Sequence, residues 1–105
     1  MQVSMTPKVK TACVRCKLKE NEKFVYADGF DHSSCYDYLR VAHSMYPQAQ
    51  PQKYDCEEGF LLTNGNFANR MLAMVVAKKE NQLKPEYKDQ NFPLLYSYML
   101  YYKGL

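Results

Sequence analysis

The stretch from Glu58 to Gln82, EGFLLTNGNFANRMLAMVVAKKENQ, constrains this chain more than any other. It reads as a short strand over Gly59 to Thr63, a turn at Asn64-Gly65, and a helix capped by Asn66. Asn-Gly is the strongest short turn signal, because both central positions of a tight hairpin turn need positive φ. The Asn66 side-chain oxygen is placed to accept an orphan amide of the first helical turn. The helix is expected to run to about Asn81. Its middle, Met71 to Ala77, is apolar around nearly the whole circumference, and such a helix is buried on more than one side. In a chain of 105 residues, the second side is expected to meet another copy, so the helix predicts a homo-oligomer.

The remaining chain reads as an α+β domain: a small antiparallel sheet, two main helices and an aromatic C-terminal segment. Residues 1–7 form a loose lead-in. Val9 to Leu18 alternates as a strand, with Val9, Thr11, Cys13 and Arg15 on one side and Ala12, Val14 and Cys16 on the other. Lys17 to Lys23 is a charged turn, and Phe24 to Ala27 completes a hairpin broken by Asp28-Gly29. A first helix begins near Asp31 or Ser34, with Ser34 and Asp37 at capping-box spacing. Cys35, Tyr38, Leu39, Ala42, Met45 and Tyr46 form its apolar stripe, and Pro47 ends it. Gln48 to Glu57 is a polar connector. Leu94 to Tyr102 is a final strand or short helix that should dock on the core. A single domain accommodates all of this.

A helix N-terminus after a tight turn offers unpaired N–H groups to an anion. Arg70, one turn in, sits where the helix dipole disfavours a cation. It therefore faces either a bound anion or a nearby carboxylate, and both readings stand. Phe60 and Phe67 flank the turn as stacking rings or as core. His32 is a phosphate donor or a simple capping residue, and Arg40 follows two turns later. His43 and Lys78-Lys79 read as solvated.

The spacing Cys13-x2-Cys16, fifteen residues, then His32-x2-Cys35 is that of a Cys3His zinc site. Four such ligands would leave no open position, so the metal would be structural. Against it, residues three apart on a strand face opposite sides. The chain carries four cysteines and no apolar run near the ~20 residues of a membrane span. Without a signal-peptide h-region, it is expected in the cytoplasm, where the cysteines read as free thiols or metal ligands rather than disulfides.

Net charge is only +3, which suits an anionic ligand but falls short of a basic nucleic-acid-binding domain. Ten tyrosines and no tryptophan point to self-association or a stacking ligand. The chain has no P-loop, GxSxG, HExxH or Gly-rich dinucleotide fingerprint, so an enzyme is not expected.

Gly59-Phe60-Leu61-Leu62-Thr63, Gly65, Phe67, Arg70, Ala73, Ala77 and Gln82 together resemble the Gly-Phe-x-Thr…Gly-Arg-Phe-x-x-Arg-x-x-Ala…Gly-Gln run of a family of small phage proteins. Ala12-Cys13-Val14-Arg15, His32-x-x-Cys35 and Leu95-Tyr96-Ser97 are similar in the same order. Asn66 stands where the family usually has arginine, and Tyr98-Met99 where it has an acidic pair. The His-x-x-Cys pair recurs in the family without a partner CxxC, which counts against the metal. Proteins of this look include anti-Thoeris sponges, which sequester cyclic nucleotide signals of bacterial immunity without cleaving them and act as oligomers. The resemblance implies a phage counter-defence binder of a small cyclic nucleotide or cyclic ADP-ribose-type signal, with no cofactor. Arg70 and Arg40 would meet phosphates, assisted by His32, Thr63 and the turn amides. Phe60 or Phe67 would stack on a base whose edge Asn66 or Asn69 reads. The alternatives are a zinc-stabilised module that inhibits a host protein or contacts nucleic acid, and a phage assembly protein.

Overall fold

A computed structural model describes residues 6–101. Most of the predicted lead-in, residues 1–5, lies outside the described residues, as does Tyr102. Four strands, β1 (Val9–Leu18), β2 (Val25–Gly29), β3 (Tyr54–Leu62) and β4 (Phe67–Asn69), form one antiparallel sheet in the order β2-β1-β3-β4. Two main helices, α1 (His32–His43) and α2 (Arg70–Lys79), pack on one face of it. A short helix α3 (Pro85–Lys88) and a 3₁₀ turn (Ser97–Met99) lead through the C-terminal segment. The α+β class read from the sequence is the observed one.

The helix-side face is built from the even-numbered residues of β1 and β3, joined by Val9. A bulge before Thr11 turns Val9 to this side with Leu62 and away from Thr11, Cys13 and Arg15, with which the sequence grouped it. Ala12, Val14 and Cys16 lie level with Phe60, Glu58 and Cys56. Ala27 on β2 and Ala68 on β4 complete the layer, and α1 adds Cys35 and Leu39 while α2 adds Ala73, Met74 and Ala77. Phe60, Leu39 and Leu95 are fully buried, each worth about 1.5–3 kcal/mol over its exposed state. The α1 stripe is narrower than its apolar positions suggest: Tyr38, Ala42 and Tyr46 are exposed.

The Asn64-Gly65 turn exists, with Gly65 at φ 89° and the Leu62 N–H bonded to the Asn66 carbonyl at 2.8 Å. It leads into β4, however, and not directly into a helix. Phe67, Ala68 and Asn69 pair with Leu61, Phe60 and Gly59. The helix cap is accordingly Asn69, whose Oδ1 accepts from the Leu72 N–H at 2.8 Å, and Asn66 belongs to the turn. Arg70 is thus the first residue of α2 rather than one turn in. Gly59 is required here: a Cβ would collide with the Ala68 carbonyl and the Phe67 ring.

α1 is capped by Asp31, whose Oδ1 accepts from the Ser34 N–H at 2.8 Å, and not by a Ser34/Asp37 box. It ends at Ser44 in the left-handed region, three residues before Pro47. The expected connector is half strand. Tyr54, Asp55, Cys56 and Glu57 pair with β1, because their alternation fits a sheet with one open face. This register puts Cys16 opposite Cys56, Cα to Cα 4.1 Å, joined as a disulfide. The reading of all four cysteines as thiols or ligands is corrected for this pair; Cys13 and Cys35 are free and buried. The C-terminal segment docks as expected, through a Leu83–Leu100 bridge and buried Leu95, Met99 and Leu100.

Candidate functional site

The seam between α1 and α2 lies over Glu58, the polar residue in the helix-side row of β3. Its Oε1 accepts from Arg70 Nη2 at 2.5 Å and its Oε2 accepts from the Tyr36 hydroxyl at 2.8 Å. Arg70 also donates to the Leu95 carbonyl at 2.7 Å and stacks 4.4 Å over the Tyr96 ring. Its side chain is only 15% exposed. His32 opens α1 beside it, with Nε2 2.8 Å from the Gly59 carbonyl and Nδ1 3.4 Å from the Arg70 guanidinium. A carbonyl only accepts, so Nε2 carries the proton and Nδ1 is the lone-pair side.

Burial pulls the His32 pKa down, outweighing its bond to Gly59, and the neighbouring Arg70 charge adds to the effect. For Glu58, burial opposes ionisation. The hydrogen bonds from Tyr36 and Arg70 and the guanidinium charge win, and hold the carboxyl below its usual range. Burial and the Glu58 bond push the Tyr36 hydroxyl well up. Of the two readings of Arg70, the structure realises the carboxylate. The predicted cradle at this helix end is filled by the chain itself.

The other predicted members disperse in the same way. Phe60 is fully buried and meets the His32 ring edge-on at 5.2 Å, so it is core and not a stacking platform. Phe67 lies on the opposite face of the sheet, 6.0 Å from Tyr26. Thr63 Oγ1 accepts from the Lys8 N–H at 2.9 Å. Asn66 stays in the turn, and Asn69 is spent on its cap. Arg40 sits near the other end of α1 from His32 and does not share a site with Arg70.

The zinc set does not converge either. Cys13 and Cys16 point to opposite faces of β1, Cys16 is bonded to Cys56, and His32 is turned to Gly59. Burial raises the thiol of Cys13 to about 11 and that of Cys35 to about 12. Among the described residues, no cluster of three or more His, Cys, Asp or Glu side chains could hold a metal ion.

What the structure does offer is a groove below the C-terminal end of α1. One hollow of about 170 Å³ is lined by Tyr36, Asp37, Arg40, Met45, Tyr46 and residues 47–49. A second of about 300 Å³ adjoins it through shared Tyr36, Pro47 and Gln48, and reaches Tyr54 and Cys56. The Arg40 side chain is 54% exposed and, among the described residues, is tied only to Asp37 at 3.3 Å, an exposed pair on one helix face that an incoming anion displaces at little cost. Tyr54 braces the wall, its hydroxyl accepting from the Tyr46 N–H at 3.4 Å. Three tyrosines and the Arg40–Asp37 pair therefore border the groove. Sequence reading singled out Arg40 but missed Tyr36, Tyr46 and Tyr54. The available signal was Tyr46 and Tyr54 flanking Pro47 and Pro51, which stiffen the connector between them.

The family model of the phage T4 y16D protein matches residues 8–101, from the first strand to the end of the described chain. The chain belongs to that family. No curated protein and no solved structure matches this y16D-family chain. It is a phage protein, and among the described residues no helix is long and apolar enough to cross a membrane.

Proposed function

We propose that this phage protein acts in the infected host's cytoplasm as a non-catalytic binder, sequestering a small cyclic nucleotide or cyclic ADP-ribose-type immune signal without cleaving it. The observation that carries the reading is Arg40: unlike Arg70 it is half exposed, and it borders a groove flanked by tyrosines. A guanidinium meets a phosphate bidentately, and tyrosine faces stack on a base. The larger hollow, about 300 Å³, falls at the lower end of small-ligand sites. The resemblance at Gly59 to Gln82 supports the same class of function, with the binding residues moved from Arg70 to the α1 end.

The test is a thermal-shift panel of cyclic di- and trinucleotides and cyclic ADP-ribose isomers. A ligand at a hundredfold excess over its Kd stabilises by about 2.7 kcal/mol, which is several degrees in a domain of this size. Arg40→Ala and Tyr46→Ala should remove the shift, and denaturation should release the ligand intact. Fragments would mean an enzyme, and no shift across the panel would sink the proposal.

A second reading rests on α2. Met71, Leu72 and Val75 are 62%, 50% and 59% exposed, while Ala73, Met74 and Ala77 are buried behind them. An apolar stripe of this kind suits a protein-interaction module, with self-association on α2 as its simplest form. Light scattering of wild type against Val75→Glu tests it; an unchanged mass removes the helix from consideration.

A further inference from the structure

No described helix covers the second face of the sheet. Its central strands carry charges in two columns. Arg15 and Lys17 lie on β1, and their register partners Glu57 and Asp55 lie on β3 at the same two levels. Arg15 donates through Nε and Nη2 to Glu57 Oε1 at 2.9 and 2.6 Å, and Lys17 Nζ lies 3.3 Å from Asp55 Oδ2. The Arg15 guanidinium is held between the rings of Phe24, at 4.8 Å, and Phe67, at 5.0 Å. Tyr26, 51% exposed, stands against Phe67. The face is thus an aromatic and guanidinium layer with a cationic column beside an anionic one.

We propose that two copies of this chain meet here, sheet to sheet, about a twofold axis running along the strands between β1 and β3. Such a rotation exchanges left and right but leaves the level along the strand unchanged. It sets Arg15 of one copy over Glu57 of the other, and Lys17 over Asp55, each in both directions. Adjacent columns of opposite sign are self-complementary in this one arrangement. A polyanion such as a nucleic acid would meet the anionic column and is disfavoured. Sheets pack about 10 Å apart at about −30°, so the match is tightest at one level and the rings of Phe24, Tyr26 and Phe67 fill the gap. The rings supply affinity. The charges set register, because desolvated ion pairs add specificity more than strength. This contact lies on the side of the sheet away from α2 and from the Arg40 groove, and depends on neither.

The test is a mixing experiment. Arg15→Glu/Lys17→Glu makes both columns acidic, and Asp55→Lys/Glu57→Lys makes both basic. Each variant alone should self-associate at least tenfold more weakly by sedimentation equilibrium, and an equimolar mixture should recover the wild-type mass as a heterodimer. Leu72→Glu should leave this contact intact. A second measurement needs no substitution. Carbodiimide treatment of mixed light and isotopically heavy wild-type protein should give heavy–light peptides linking Lys17 to Asp55 or Glu57. Wild-type association by either double variant, or no heavy–light link at these residues, overturns the proposal. So does a monomer that binds a single-stranded oligonucleotide through this face.

Discussion

The Gln82 carboxamide occupies both backbone groups of Val9: Oε1 accepts from the Val9 N–H at 2.9 Å, and Nε2 donates to the Val9 carbonyl at 2.8 Å. Gln82 is 2% exposed, and its own backbone carbonyl accepts from the Tyr101 N–H. The side chain therefore acts as a one-residue strand at the start of β1. Replacing it with Ala leaves a buried N–H and a buried carbonyl unpaired, each costing about 1–3 kcal/mol. Gln82→Ala should lower the urea midpoint by the largest margin of any polar substitution in this chain. Gln82→Glu, which keeps only the acceptor, should fall between.

Asn69, and not Asn66, should behave as the α2 cap. Asn69→Ala is expected to cost about 0.5–2 kcal/mol, and Asn66→Ala less than about 0.5 kcal/mol. Paired denaturation curves decide it; equal losses would place the helix start elsewhere.

Gly59→Ala should destabilise by about 1–3 kcal/mol, the usual range for forcing atoms into a packed site. The new methyl meets the Ala68 carbonyl and the Phe67 ring, so β4 must move. The sensitive readout is amide exchange of residues 67–69, which should accelerate beyond the rest of the sheet.

Acid should loosen the helix seam in two steps. His32 has a folded pKa below its usual 6.5, so the unfolded chain takes up this proton first. Its contribution is present above pH 6.5 and declines as pH falls from there to the folded value. Glu58 also has a depressed folded pKa, so its contribution is present above about 4.5 and is lost as pH falls through the folded value. Both slopes run the same way. Stability measured by denaturant should drop between pH 6.5 and 4.5 in wild type, and less so in His32→Gln. The Glu58→Gln variant should lose the additional decline below pH 4.5. A variant slope equal to wild type would remove the residue from the account.

The parts of the fold legible in the sequence are those with a period or a punctuation mark. β1 alternates from Thr11 onward, and Asn64-Gly65 marks the turn from β3 to β4. α1 and α2 carry apolar stripes. What escaped reading lacks both. β4 is three residues long, too short for alternation to register, and exists because Phe67 and Ala68 find partners on β3. The first half of β3 is polar on local grounds and becomes strand because β1 is already there to pair. The site failed for a related reason. Arg70 was rightly read as needing a negative partner, but Glu58, twelve residues earlier, reaches it only because strand alternation turns that one carboxylate toward the helices. Cys16 and Cys56 are forty residues apart in sequence and meet through register alone.

The Val9–Gln82 pairing has a consequence for biogenesis. β1 leaves the ribosome before its partners: its neighbour β3 follows some forty residues later, and the carboxamide that finishes its first residue lies 73 residues downstream. Closure over such separations is slow relative to helix formation. A nascent chain halted before Gln82 should leave this central strand unfinished at one end, a natural foothold for chaperones and proteases until translation passes that residue.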